Sequence, residues 1–299
     1  MGADFESLLQ KKLIVVTGKG GSGKSVLSLA LAHRLSAERR RVWLVELGRK
    51  SDDAFSRLSD LLNVRALGHE LREVKLPGSM QKVQAAILDP TESLAEYVNL
   101  KLPSAGLAGL LLKNRITASF LEVVPGLPDL VALGKLWHAL TSGGSGGPDV
   151  VVLDAPASGH AVSLLRAPAN FERITRFGPI HKDARQMREF LADPTATALA
   201  LTTLPEEMSL QETLELQRAL KGFPEPHLFV NRCFPELPKL DEEKESIVYR
   251  AYAYARRRGA REREAVRALG KAAVVRVPFF FPEPGADPLY LRIAGALPA

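Results

Sequence analysis

The chain is poor in cysteine: Cys233 is the only one in 299 residues. No disulfide and no pair of cysteines around a metal can be built within it, which suits a reducing compartment. Long apolar runs are missing too. The most apolar stretch, "LPSAGLAGLLL", falls short of the roughly 18 residues a membrane-crossing helix needs. The opening "MGADFESLLQKK" has no apolar run of signal-peptide kind. These absences predict a cytoplasmic protein with no integral membrane segment. Excess charge is mild, a net +6. It fits nucleic acid or anionic lipid partners, but better fits a solvated surface. What remains is an ordinary globular composition, 46% hydrophobic and 25% charged.

Short apolar runs alternate with helical patterns along the chain. "LIVVTG", "RVWLVE", "KVQAAILD", "DVVVLDAP", "ATALALTTL", "PHLFVNR" and "AAVVRVP" read as about seven strands. Continuous apolar strands separated by helices predict an α/β fold, a mostly parallel doubly wound sheet with both faces covered. Residues after the strand ends then gather at one edge, where ligands bind. Between about 89 and 141 the pattern turns helical, which predicts an insertion within a single domain spanning 1–299. "DEEKESIVYRAYAYARRRGAREREAVRALGK" reads as a long helix with a solvent-facing, Arg-rich side.

"VVTGKGGSGKS" (Val15–Ser25) fits two phosphate-binding patterns. Gly18, Gly20 and Gly23 spell the dinucleotide fingerprint, and Glu46 stands near where an acid would hold a ribose. Gly18, Gly23, Lys24 and Ser25 spell the P-loop. The second reading is preferred. Lys24 can reach the β- and γ-phosphates and the Ser25 hydroxyl can hold Mg²⁺, neither of which a dinucleotide needs. Asp154, ending an apolar strand, can face the same Mg²⁺ shell. No hydride-transfer site is visible. The cofactors expected are therefore ATP and Mg²⁺. Gly18, Gly20, Gly21, Ser22, Gly23, Lys24 and Ser25 are the phosphate-holding set, and Ser25 and Asp154 the metal pair.

The extra Lys19 makes "GKGGSGKS" the deviant form of this loop, in which such a lysine crosses a dimer interface to the partner's phosphates. "DAPASGHAVSLLRAP" (Asp154–Pro168) resembles the switch II segment of the arsenite-pump and tail-anchored-protein-targeting ATPases, the ArsA family, one residue short and with Ser158 for Thr. "SDDAF" (Ser51–Phe55) resembles the end of their switch I, and "LPEEMSLQETLEL" (Leu204–Leu216) a later segment. The resemblance implies a nucleotide-gated dimer, homodimeric or paired with a paralogue, that couples ATP state to a protein partner. It implies that Asn231 of "FVNR" and the loop at Pro278 and Phe279 hold adenine. It places Glu46 where the family has the Asp that orients the attacking water, with Asp53 as the fallback, so turnover is expected to be slow. His160 would relay nucleotide state through switch II.

Three departures restrict the analogy. There is no cysteine pair for zinc at a dimer interface, no cysteine set for a metalloid, and only four methionines for a client-cradling segment. The stretch Leu102–Leu112 reads as helix core or dimer packing before it reads as a client groove. Two rival functions stay open. One is a non-hydrolysing nucleotide sensor paired with an active paralogue. The other is a partition-type ATPase held on DNA by Arg256, Arg257, Arg258, Arg261 and Arg263, although nucleic acid is not the expected partner.

Overall fold

Alternation inside the apolar strands decides which face each side chain serves. A computed structural model describes residues 5–48, 57–64, 67–101, 126–142, 146–238, 240, 246–267, 269 and 274–298. Its strands are β1 (Leu13–Gly18), β2 (Val42–Leu47), β3 (Arg72–Val74), β4 (Val83–Leu88), β5 (Val150–Asp154), β6 (Thr197–Thr203), β7 (His227–Cys233) and β8 (Val274–Pro278). They form one sheet of order β3-β4-β2-β5-β1-β6-β7-β8. Every pairing is parallel except that of β3 with β4. Leu13 and Val15 of β1 enter one apolar layer and Ile14 and Val16 the other. Each such side chain contributes about 1.5–3 kcal/mol when buried, so the central strand is a firm base for the loop that follows it.

The first layer is closed by α5 (Leu127–Thr141), α6 (Ser158–Ile174), α7 (Pro179–Ala192), α8 (Glu207–Ala219) and α9 (Ile247–Arg267). The second is closed by α1 (Phe5–Leu9), α2 (Lys24–Ala37), α3 (Arg57–Leu62) and α10 (Leu289–Ala296). Helix α4 (Pro90–Lys101) packs on α5. From β1 the chain passes through α2 and over β5 to reach β2, while β6 lies on the other side of β1. The sheet order therefore reverses at β1, and the C-terminal ends of β1, β5 and β2 open a crevice there.

The sequence predicts about seven strands, and among the described residues the sheet has eight. The eighth, β3, is three residues long with Arg72 and Glu73 exposed, too short and too polar to show a period. Helices α4 and α5 fall in the stretch predicted as a helical insertion. Leu102–Leu112, between them, lies outside the described residues, as do Ser51–Phe55 with Asp53.

Candidate functional site: a phosphate-binding crevice

The chain leaves β1 at Gly18, where a Cβ would stand 2.1 Å from the Thr202 carbonyl oxygen of β6. Only glycine allows that approach. The loop then turns on itself. Ser22 Oγ donates to the Lys19 carbonyl at 2.8 Å and lies 2.6 Å from Thr202 Oγ1. Asn231 Nδ2, at the end of β7, donates to the Ser22 carbonyl at 2.8 Å. Gly23, at φ 96°, passes so close that a Cβ would lie 2.2 Å from that same nitrogen. These two glycines serve the packing of the loop on β6 and β7. Gly20 and Gly21 differ, because a Cβ on either would meet nothing within 4 Å. They form the open side of the cradle. Helix α2 starts there, with Gly23 as an N-cap that offers no side-chain bond and no acidic residue in the first turn. Its unpaired N–H groups and positive dipole end make a ready anion site.

A cavity of about 500 Å³ opens beside this cradle. Gly21, Gly23, Lys24 and Ser25 line one side, Glu46, Arg57 and Asp60 another, and the Asp154–Ala157 turn the floor. Lys24 Nζ donates to the Lys19 carbonyl at 3.2 Å. Burial holds its ammonium below the usual lysine range, opposed by the Asp154 charge and reinforced by Arg57. In the β2–β5 ladder Glu46 stands level with Asp154. Asp154 is buried and accepts from Ser28 Oγ at 3.2 Å. Burial pushes its carboxyl up to about 6; a hydrogen bond from Ser25 opposes this, the Glu46 charge adds to it, and Lys24 and Ser28 oppose it. Among the described residues no three His, Cys, Asp or Glu converge into a metal cage. A serine hydroxyl and one carboxylate are instead the hard oxygen donors that suit Mg²⁺ shared with water and phosphate.

The remaining residues singled out from the sequence fall elsewhere. Lys19 reaches out of the loop to α8 and pairs with Glu212 at 2.8 Å. The Phe279 N–H donates to the Cys233 carbonyl at 2.8 Å, and its ring stacks on Phe234 with centroids 5.9 Å apart. Phe281 stands edge-on to both rings. Neither Pro278 nor Phe279 lines the cavity. Asn231 is buried behind the loop, its Oδ1 accepting from the Arg232 N–H at 2.9 Å. His160 is exposed on the first turn of α6, near Asp129, whose carboxyl burial raises and His160 lowers. Burial raises the Cys233 thiol to about 11, so it is an inert half-buried residue. The arginines of α9 are partly engaged: Arg258 with Glu262 and the Phe234 ring, Arg256 over Tyr252, and Arg263 3.9 Å from Glu236. Arg57, Asp60 and Arg232 line the cavity, and sequence reasoning passed over all three. Arg232 at least stood in view, directly after Asn231 in "FVNR".

A glycine cradle between a buried parallel strand and an uncapped helix carrying Lys24-Ser25, with an acid ending the neighbouring strand, defines a P-loop nucleoside triphosphatase. Within that class the anion-transporting ATPase (ArsA_ATPase) family model matches residues 11–179 and 170–247, and the chain belongs to this family of ATPases. It is 30% identical over 231 residues to ATPase BagA of Mycobacterium tuberculosis, covering 75% of this chain and 66% of that protein. It is 27% identical over 241 residues to an arsenical pump-driving ATPase of Acidiphilium multivorum, covering 74% of this chain and 39% of that protein. With ATPase get3 of Pyrenophora tritici-repentis it shares 25% over 265 residues, 83% of this chain and 72% of the other. The chain thus spans just under two thirds of the length of its mycobacterial relative. No helix among the described residues is long and apolar enough to cross a membrane.

Proposed function

We propose that this chain binds Mg²⁺·ATP in the crevice and hydrolyses it slowly as a nucleotide-gated dimer that acts on a protein partner in the cytoplasm. The observation that carries the reading is the pairing of an uncapped α2 N-terminus and half-buried Lys24 with the half-buried Ser25 and its buried partner Asp154 across a cavity of about 500 Å³. Lys24 and the backbone from Gly20 to Ser25 hold the phosphates. Ser25 would hold Mg²⁺, with Asp154 orienting its shell; the ion, when bound, neutralises charge on the phosphate being transferred. Asn231 would meet adenine and Pro278 and Phe279 would cover the base, which must then extend beyond the cavity that none of the three lines. Glu46 orients the attacking water, with Asp53 as the alternative.

Lys19 acts across the dimer on the partner's phosphates. To do so it must exchange the Glu212 carboxylate, 2.8 Å away, for a phosphate. The extra methylene of Glu46 favours a second reading, a sensor that binds ATP without turning it over. One experiment separates them: ATP hydrolysis and mass in solution of the purified protein, with and without ATP and Mg²⁺. Hydrolysis together with an ATP-dependent doubling of mass is expected. Doubling without hydrolysis supports the sensor, and neither effect sinks both readings.

A further inference from the structure

Strand β7 does not run straight into its turn. Val230 pairs with Arg276 and Cys233 with Pro278, so β7 uses three steps where β8 uses two. The extra residue makes a bulge at Asn231–Arg232. Arg232 has φ 58°, the left-handed conformation that glycine normally supplies in such bulges. For an L-residue with a Cβ that conformation is disfavoured, and arginine has none of the short-side-chain bonding that lets asparagine tolerate it. The bulge sends consecutive side chains to different tasks. Asn231 is buried and braces the Ser22 carbonyl. Arg232 is exposed at the rim of the cavity that Gly21, Gly23, Lys24 and Ser25 line. Its backbone N–H is bonded to Asn231, but its guanidinium has neither hydrogen bond nor ion pair among the described residues. A strained backbone thus holds an arginine, matched to no carboxylate, at a phosphate-binding cavity. Bulges beside active sites re-aim side chains in this way.

We infer that Arg232 is a further phosphate-binding cation of this site, contacting the phosphates that are not transferred. The inference rests on the nucleotide reading above. Two features set the assignment. A guanidinium fork matches phosphate oxygens in a way an ammonium does not. Strand β7 lies on the opposite side of β1 from β5 and β2, whose acids mark the reacting end. A cation on the β7 side therefore meets the phosphates shared by ATP and ADP. It contributes binding common to ground state and transition state, which appears in KM rather than in kcat.

The test uses calorimetric titration with ATP and with ADP, steady-state kinetics and thermal melting, on wild type, Arg232→Gly and Arg232→Lys. Arg232→Gly removes the side chain and relieves the left-handed strain, so its melting temperature should equal or exceed that of wild type. Its affinity for both ATP and ADP should fall about tenfold, the loss appearing in KM. Arg232→Lys should recover part of the affinity without the fork. Unchanged affinity in Arg232→Gly overturns the inference. So does weakened affinity accompanied by a lower melting temperature, which would make Arg232 structural. A loss confined to kcat would overturn the assignment to the non-transferred phosphates. A wild-type protein that binds neither nucleotide removes the nucleotide reading itself, and the inference with it.

Discussion

The two rims of the crevice are built differently. On the β1 rim the loop is braced by the chain's own bonds: Ser22 is held by Lys19, Thr202 and Asn231, and Lys24 by a backbone carbonyl. The phosphate-holding groups proposed there come from one unbroken run, Gly20 to Ser25. On the β2 rim Glu46 ends a strand, while Arg57 and Asp60 belong to a helix that begins after a separate stretch of chain. On the proposed reading, holding phosphates is therefore mainly a local property of one preorganised loop, to which Arg232 adds a side chain from β7. Placing a water for attack needs side chains delivered by several elements, where one methylene matters. Binding and turnover should break separately.

The largest effect should come from the β1 rim. Lys24→Ala removes the half-buried cation at the helix start. ATP affinity should drop by on the order of a hundredfold or more, to the point of no detectable binding. Lys19→Ala should instead bind ATP within about threefold of wild type yet lose hydrolysis by about a hundredfold or more, together with ATP-dependent dimer closure. Titration with a fluorescent ATP analogue and a phosphate-release assay read the two effects. Equal loss of binding in both variants would break the contrast, because Lys19 would then serve its own nucleotide.

That contrast also explains what could be read from the sequence. The loop was legible because its glycines, lysine and serine are contiguous, and the long strands because burial on both faces leaves unbroken apolar runs. The edge strand β3 was not, since three residues with two exposed charges carry no pattern. Contacts between distant positions were invisible as well. Ser22 meets Asn231 across 209 residues and Lys19 meets Glu212 across 193. Arg57 and Arg232 look like ordinary surface arginines until the fold sets them around one cavity. The bulge that turns Arg232 is a matter of register between β7 and β8, which no local pattern states.

Asp154 bridges the two rims, and its titration offers a test of intermediate size. Its carboxyl is raised from 3.8 to about 6 in the folded chain. Between those values the folded protein binds the extra proton. Metal-free stability should therefore fall as pH rises through that window, and be lowest above about 6. If Asp154 serves Mg²⁺, the ion needs the carboxylate, so the gain in ATP affinity that Mg²⁺ confers should do the opposite. It should be full above about pH 6 and fade by about tenfold per pH unit below it. Asp154→Asn should melt higher than the metal-free wild type at pH 7.5 and show no Mg²⁺-dependent gain. Melting curves and ATP titrations from pH 5 to 8, with and without Mg²⁺, check both signs. A wild-type Mg²⁺ gain that stays flat down to pH 5 would detach Asp154 from the metal.

The β2 rim is tested at Glu46, which stands in register with Asp154. If its longer side chain misplaces the attacking water, Glu46→Asp should raise kcat by about tenfold, part of the hundredfold that a displacement near 1 Å can cost. ATP affinity should hardly change, and Glu46→Gln should lower the rate. Single-turnover hydrolysis of the three forms decides. Identical rates would remove Glu46 from the chemistry and leave Asp53 as the candidate.

The smallest expected effect lies at the Lys19–Glu212 pair, through which the loop would reach the proposed dimer. Both side chains are more than a third exposed, 38% and 41%. Such pairs are worth at most about 1 kcal/mol, roughly a fivefold shift in an equilibrium. If Lys19 must leave Glu212 before crossing to a partner's phosphates, Glu212→Gln should tighten ATP-dependent dimerisation by about two- to fivefold and no more. Moderate salt should loosen the same pair in the wild type, since exposed charges are screened, so the gap between the two proteins should narrow as salt rises. In a Lys19→Ala background the Glu212→Gln substitution should gain nothing, because there is no cation left to release. Sedimentation over a range of protein concentrations, with ATP and Mg²⁺ present, measures all four forms. The sign carries the argument. Tighter dimers in Glu212→Gln mean that the acid restrains the lysine, whereas weaker dimers would mean that Glu212 serves the closed state and that Lys19 acts within its own chain.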